Sequence, residues 1–455
     1  MGKLYNRKRG LVSVVISAYN YSQFIGDALE SVKNQTYPHI ELIVVDDCST
    51  DDTEKIIKKW YRKNENKIKK FVYLKLPRNC GAGWALNIGF AISEGEYIVI
   101  HDADDISHRE KIKKQVNLLE KHENTAMIGT GYWTFQENIE EAKNGSNWLS
   151  YNPASIERNY KVHLRHCVSY GTLMFRAAIL EEIIGCFKGI PVGNDMFFVN
   201  NVINHNYVVE NIKENLFYVR QHKDQMSSKI RKKQLNTVLE RRKKIEGRVS
   251  IILPIKNSAK TVEVVLEGIA AQTYKNIELI IVDDFSSDNT ENIIKSWRKI
   301  HEHENCQIGI KDIIYFKLPR EVGYPWVYNI GAYISKGEYI AFSYDKGVSY
   351  KDRIQKQVKF LKDNFMYSVV GTNFTGDNSW IKYDDDIEYS YTIDYMPCVN
   401  INTIMMRYDV INKTAGLNTK IQGAEDFEFI CRLLNNGYRI QNLKEVLYDQ
   451  QGGKI

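Results

Sequence analysis

The sequence predicts an α/β protein of two tandem domains, each a mostly parallel sheet with helices on both faces. Three observations lead there. The first is a long-period duplication. "VSVVISAYN" from Val12 returns as "VSIILPIKN" from Val249, and "NQTYPHIELIVVDDCSTDDT" from Asn34 returns as "AQTYKNIELIIVDDFSSDNT" from Ala271, both 237 positions on. "KLPRNCGAGWALNIG" from Lys75 returns at Lys317, and "GNDMFFVNNVINHNY" from Gly193 matches "AEDFEFICRLLNNGY" from Ala424. So long a period means whole domains rather than solenoid repeats. The second is alternation: short continuous apolar runs take turns with helix-spaced stretches, the signature of a parallel sheet covered on both sides. The third is size. The 455 residues, 43% hydrophobic and 26% charged, can bury two cores.

The elements follow in order. Val12–Ser17 reads as a buried strand, and Tyr21–Asn34 as a helix with Phe24, Ala28, Leu29 and Val32 on one side. Glu41–Val45 is a second buried strand, ending at Asp46 and Asp47. "STDDTEKIIKKW" opens a helix that Ser49 or Thr50 can cap, with acids in its first turn. Gly95–Ile100 is a further strand, running into "HDADD". The first domain is assigned to residues 1–228 and the second to 248–455, joined by a basic helical linker over 229–247.

Composition sets limits. The net charge of +6 is mild. The seven scattered cysteines form no Cys-x-x-Cys pair, which argues against disulfide frameworks and zinc sites and for a reducing cytoplasm. No signal region and no apolar run of membrane-spanning length is visible. The linker is basic but lacks interleaved aromatics, so no nucleic-acid partner is expected. It leaves open peripheral contact with the inner face of a membrane.

In doubly wound sheets, ligands bind beyond the carboxyl ends of the strands. Asp46, Asp47, Asp102, Asp104 and Asp105 gather there. Asp51 and Asp52 read as cap and turn residues, Asp102 and Asp104 as a site. Paired carboxylates suit Mg2+ or Mn2+ shared with phosphate oxygens. Asp47 can accept hydrogen bonds from a base or a ribose. Asp195, in "GNDMFF", is a carboxylate apart from that pair, as a general base must be, although a helix N-cap explains it equally well. His222, in "YVRQH", is a third metal ligand or a surface residue.

Taken in order, "VSVVISAYN", "VVDDCSTDDT", "NCGAGWALNIG", "HDADD", "GND" and "YVRQH" resemble the signatures of the family 2 glycosyltransferases, which have a Rossmann-like GT-A fold. The resemblance covers Val12–Ser227 and again Val249–Tyr448. It implies inverting transfer of a sugar from a UDP-sugar to a hydroxyl, with Mn2+ or Mg2+ as cofactor. Ala18, Tyr19, Asp47, Asn79 and Asp102 would then belong to the donor site, Asp104 and His222 to the metal, and Asp195 would be the catalytic base. Leu86 stands where many relatives carry an arginine, and Asn194 where they carry a glutamate. The "QxxRW" signature of processive synthases is not visible.

The second copy departs from the first. Tyr344 falls opposite Asp102, Lys346 opposite Asp104, and Asp345 one residue out of phase, which on a strand means the opposite face. Pairing Tyr218 with Tyr448 puts Gly452 opposite His222. The metal site is expected to be lost, while Asp284, Lys346 and Asp426 remain candidates for a metal-independent site. The expected protein is a cytoplasmic hexosyl- or N-acetylhexosaminyl-transferase that builds a cell-surface polysaccharide. Its first domain does the chemistry and its second is structural or binds the acceptor. The acceptor is a glycan, a lipid-linked glycan or a polypeptide, and oligomerisation is open. The alternatives are a protein glycosyltransferase whose second domain is a polypeptide platform, and a bifunctional enzyme. Nucleotidyl transfer lacks its Gly-rich phosphate loop, and a dead sugar-binding scaffold would bind no UDP through a metal.

Overall fold

The computed structural model describes residues 7–68, 70–146, 149–163, 165–183, 194–223, 225, 243–301, 309–375, 386–393, 395, 397–418 and 424–450, with residues 194 and 195 described by backbone alone. The chain divides into two compact units, Met1–Arg241 and Arg242–Ile455. Most of the basic linker lies outside the described residues.

The first unit contains strands β1 (Lys8–Ala18), β2 (Ile40–Asp46), β3 (Phe71–Lys75), β4 (Gly95–Asp102), β5 (Ile106–Ser107), β6 (Thr125–Phe135), β7 (Lys143–Asn144), β8 (Met174–Arg176) and β9 (Val208–Arg220). Its helices are α1 (Ile25–Lys33), α2 (Thr53–Asn64), α3 (Ala82–Ala91), α4 (Lys111–Lys121), α5 (Pro153–Lys161) and α6 (Asn194–Asn204). The sheet runs β3-β2-β1-β4-β8-β6-β9-β5, with β7 on β6. β3, β2, β1 and β4 are parallel, β8 is antiparallel to β4 and β6, and β9 is parallel to β6.

The second unit repeats this plan. It has β10 (Ile245–Ile255), β11 (Ile277–Asp283), β12 (Ile310–Lys317), β13 (Gly337–Phe342), β14 (Val348–Ser349), β15 (Tyr367–Thr375), β16 (Met405–Arg407) and β17 (Arg439–Asp449). Its helices are α7 (Val262–Ala270), α8 (Thr290–His301), α9 (Tyr324–Ile334), α10 (Arg353–Asp363), α11 (Ile387–Thr392), α12 (Tyr408–Thr414) and α13 (Glu425–Asn435). The order β12-β11-β10-β13-β16-β15-β17-β14 matches the first sheet element for element.

The apolar runs explain the layering. Leu11, Val12 and Val14–Ile16 of β1 and Leu42–Val45 of β2 are buried on both faces. Helix α3 is buried nearly all round, so it shows no amphipathic stripe. It lies on the sheet at Gly89, where an added Cβ would come within 2.3 Å of Val15. Gly331 repeats the close approach, 2.4 Å from Ile252.

Three local expectations are corrected. Helix α2 begins at Thr53 with Asp52 at its N-cap, so neither Ser49 nor Thr50 caps it. Asp51 ties the turn instead, accepting from the amides of Thr53 and Ser22 at 3.0 Å each. Strand β4 reaches Asp102 but β13 stops at Phe342, so Asp345 sits in a turn and strand alternation does not govern it. Finally, Ser107 pairs with Phe217 in the first sheet and Ser349 with Tyr448 in the second. Tyr448 is thus the counterpart of Phe217, not Tyr218, and His222 corresponds to Gly453, not Gly452. Both glycines lie outside the described residues. No described helix is long and apolar enough to cross a membrane.

Candidate active site

The carboxyl ends of β1 and β2 carry two residues in the left-handed region, Asn20 (φ 59°) and Cys48 (φ 65°), and the second unit repeats them at Asn257 and Phe285. Side chains over-determine these turns, as strained positions require. Asn20 accepts from the Thr50 amide at 2.8 Å, and its own amide donates to Ser49 Oγ at 3.0 Å. Asp46 accepts from the Ser49 amide and the Tyr73 hydroxyl, both at 2.7 Å.

Asp47 is almost fully buried. Its carboxylate accepts from the amides of Cys80 and Gly81 at 2.7 Å each and from Asn79 Nδ2 at 2.8 Å. Asp284 does the same with the amides of Val322 and Gly323 at 2.6 and 2.9 Å, and burial raises its pKa. These acids, both sequence candidates for donor contacts, pin the loop before α3 and α9. Ala18 is buried at the tip of β1, with Tyr19 half-buried beside it.

The acid cluster forms around Tyr21. Burial raises its pKa well above the usual value, with Asp104, Asp102 and Asp105 adding to the effect, and its hydroxyl donates to Asp104. Asp104 Oδ2 also lies 2.9 Å from His222 Nε2, and the two side chains are only 8% and 12% exposed. The imidazole packs against Phe24, with ring centroids 4.4 Å apart. Arg220 fixes this end of β9. Its amide donates to Asp105 Oδ1 at 2.8 Å, its Nε to the Asp104 carbonyl at 3.1 Å and its Nη2 to Asp27 at 2.7 Å. Asp105 has a raised pKa, first from burial and then from Asp102 and Asp104. It serves as the anchor for β9.

Behind the cluster, His101 is driven down to about 3 by burial and by Lys111, so it is neutral. Lys111 is itself buried and lowered to about 7. Asp195 is the second residue of α6, and its side chain lies outside the described residues. In the second unit Asp426 holds the equivalent place on α13, raised to about 6 by burial and by Glu425, with the Ile401 amide donating to it.

The second unit replaces the cluster. Ser258 stands at the place of Tyr21, Tyr324 at Ala82 and Asp345 at Ala103. Asp345 turns inward, accepting from Ser258 Oγ and from the Tyr324 hydroxyl, so it is no substitute for Asp104. Lys346 is exposed. Sequence reasoning missed Tyr21, Arg220 and Tyr324 as site residues. The signal was there: tyrosine leaves one position and enters another between the copies, and in the second unit both positions bond to Asp345.

A divalent cation fits the Asp104–His222 pair by chemistry and spacing. Two neighbouring ligands of an octahedral ion, each about 2.1 Å from it, are about 3 Å apart. Among the described residues no group of three His, Cys, Asp or Glu side chains is already gathered as a ligand set. Two surface cavities, of about 370 Å³ beside Trp297 and about 520 Å³ beside Arg176, lie away from the acids.

The GT-A α/β architecture is present twice, the acid cluster once. The profile described as glycosyl transferase family 2 matches residues 13–184 and 250–420. The chain belongs to this family and is a glycosyltransferase. It is 27% identical over 438 residues to an uncharacterized glycosyltransferase of Rickettsia felis, covering 84% of this chain and 68% of that one. It spans 56–68% of the lengths of three such Rickettsia relatives. TuaG of Bacillus subtilis, named for teichuronic acid biosynthesis, is 38% identical over 122 residues, covering 27% of this chain and 46% of TuaG. Among solved structures, S. aureus TarS 1-349 in complex with UDP-GlcNAc matches with a TM-score of 0.41 at 23% identity, covering 48% of this chain and 61% of that one.

Proposed function

We propose that the first domain, residues 1–228, transfers a sugar with inversion from a UDP-sugar to a hydroxyl acceptor during synthesis of a cell-surface glycan. The second domain, residues 248–455, performs no transfer and holds the acceptor. The observation that carries this reading is the contact of Asp104 with His222 at 2.9 Å beside Asp102, together with the loss of these acids from the second domain. The likeness to TuaG supports the choice of product class.

In this reading Ala18 and Tyr19 line the nucleotide pocket, and Asp47 and Asn79 hold the loop that borders it. Asp104 and His222 would hold Mn2+ or Mg2+, whose charge makes a diphosphate a better leaving group. Asp195 takes the proton from the acceptor hydroxyl as its oxygen attacks the anomeric carbon. The bond from that carbon to the β-phosphate oxygen breaks on the opposite side, and UDP leaves with the electron pair. One displacement inverts the configuration. The basic linker favours work in the cytoplasm at the inner face of a membrane.

The test is release of UDP from a panel of UDP-sugars with Mn2+, on wild type, Asp104→Ala, Asp195→Asn and Lys346→Ala. Asp104→Ala and Asp195→Asn should each lose at least about 10²-fold, and Lys346→Ala should match wild type. Activity that survives Asp104→Ala and disappears with Lys346→Ala reverses the assignment in favour of a metal-independent second site.

A further inference from the structure

We infer that the face around Tyr324, Tyr344, Asp345 and Asp426 in the second domain is a binding site for an uncharged oligosaccharide, in the place where the first domain takes its nucleotide donor. The inference rests on the proposed division of labour and supplies the residues and ligand class for its second half.

Charge is the first argument. The second domain gathers Asp284, Glu321, Asp345, Glu425 and Asp426 at this face. Among the described residues Lys256 opposes Asp284 but is itself paired with Glu321, and Arg353 is buried behind Tyr328. A nucleotide diphosphate would add at least two negative charges. Among the described residues no cation site stands in for the Asp104–His222 pair, so an anionic ligand is repelled. A neutral, hydroxyl-rich ligand is not.

The second argument is an open acceptor. Asp345 is fully buried, and its Oδ2 is taken by Ser258 and Tyr324. Its Oδ1 has no hydrogen-bond partner among the described residues. A buried carboxylate oxygen without a donor calls for a water or a ligand hydroxyl. Tyr324, bonded to this same carboxylate, carries the site outward.

The third argument is aromatic surface. The rings of Tyr324 and Tyr344 are 5.7 Å apart and tilted by 54°, and both are half-buried. Their faces suit the apolar C–H faces of a pyranose, while their hydroxyls and the carboxylates suit its rim. Tyr328, which replaces Leu86, has one hydroxyl proton to share between the Ser343 carbonyl at 2.7 Å and Asn402 Oδ1 at 2.9 Å, and lies within the field of Tyr448, Asp426, Tyr324 and Asp345. One replacement would be drift. Tyr324 and Tyr344, half-buried above the buried Tyr328 and Asp345, build a different polar face on an unchanged sheet.

Two measurements on the full chain test this: calorimetry with UDP and Mn2+, and binding to an array of uncharged and anionic oligosaccharides. UDP should bind with a stoichiometry of one, and Lys346→Ala should not change it. Uncharged oligosaccharides should bind, at least tenfold more weakly to Tyr344→Ala, with Tyr344→Phe restoring the ring and the binding. Asp104→Ala should bind them as wild type does. A second UDP site lost in Lys346→Ala, binding confined to anionic glycans, binding indifferent to Tyr344→Ala, or no glycan bound at all would each overturn the inference. UDP-sugar hydrolysis read in parallel separates the two claims. Its absence with glycan binding intact sinks only the first-domain reading, and its presence without glycan binding sinks only this one.

Discussion

Lys111 should impose a pH dependence on the first domain that its counterpart does not impose on the second. Arg353, at the same place in α10, donates to the Phe342 carbonyl at 2.8 Å, Ser349 Oγ at 2.9 Å and Gln357 Oε1 at 3.2 Å. Lys111 Nζ is buried without a hydrogen-bond partner among the described residues, 5.4 Å from the centre of the Phe217 ring. Burial lowers the amine from 10.5 to about 7, Asp102 opposes the shift, and the neighbouring His101 is neutral. A lysine depressed in the folded state binds fewer protons there than in the unfolded chain. Stability therefore rises with pH between about 7 and 10.5 and is flat below. From pH 7.5 to 9.5 the gain is about 2 kcal/mol. Lys111→Met keeps an unbranched side chain one atom shorter and removes the charge, so its pH slope should be shallower by about 1 kcal/mol per pH unit. The assay is a urea series at pH 7.5, 8.5 and 9.5, with pulsed hydrogen exchange of β4 peptides reporting the first domain alone. Parallel slopes in wild type and variant would refute the reasoning.

Two further outcomes follow from the loop before α3 and α9 and from the room beside Asp102. Asp47→Asn turns an NH2 group towards amides that need an acceptor, so the first domain should lose about 2–4 kcal/mol. Asp284→Asn should cost the second domain a similar amount and leave UDP-sugar hydrolysis intact, with urea midpoints and UDP release separating the two. Gly171→Ala places a Cβ 2.4 Å from Asp102 Oδ2 and 3.0 Å from the Phe217 ring. The carboxylate must swing away, so hydrolysis should fall by roughly 10²-fold while the urea midpoint reports a loss of only about 1 kcal/mol.

How far the sequence carries can be judged element by element. Alternation of apolar runs and helix-spaced stretches was legible because it follows from burial on two faces, and the order of both sheets agrees with it. The acid cluster was legible as a convergence because strand ends must converge in a parallel sheet. What Asp47 does was not legible. A buried carboxylate at a strand end reads alike whether it meets a ligand or the amides of Cys80 and Gly81, and only the course of the loop decides. Helix α3 hid its packing for a related reason, since being buried all round it has no periodicity to read.

The second copy explains why the remainder was hidden. Sequence alignment compares one position at a time, and by that measure Asp345 is an acid displaced by one residue. In space it belongs to a set of coupled changes. Tyr21 gives way to Ser258, Ala103 to Asp345 and Ala82 to Tyr324, and the new serine and phenol hydroxyls both reach the new carboxylate. Likewise Gly171, which leaves room for Asp102, gives way to Asn402 once Tyr344 replaces that acid, and Asn402 accepts from Tyr328. Independent drift would not make these changes meet, yet here the Ser258 and Tyr324 hydroxyls both bond to Asp345 Oδ2.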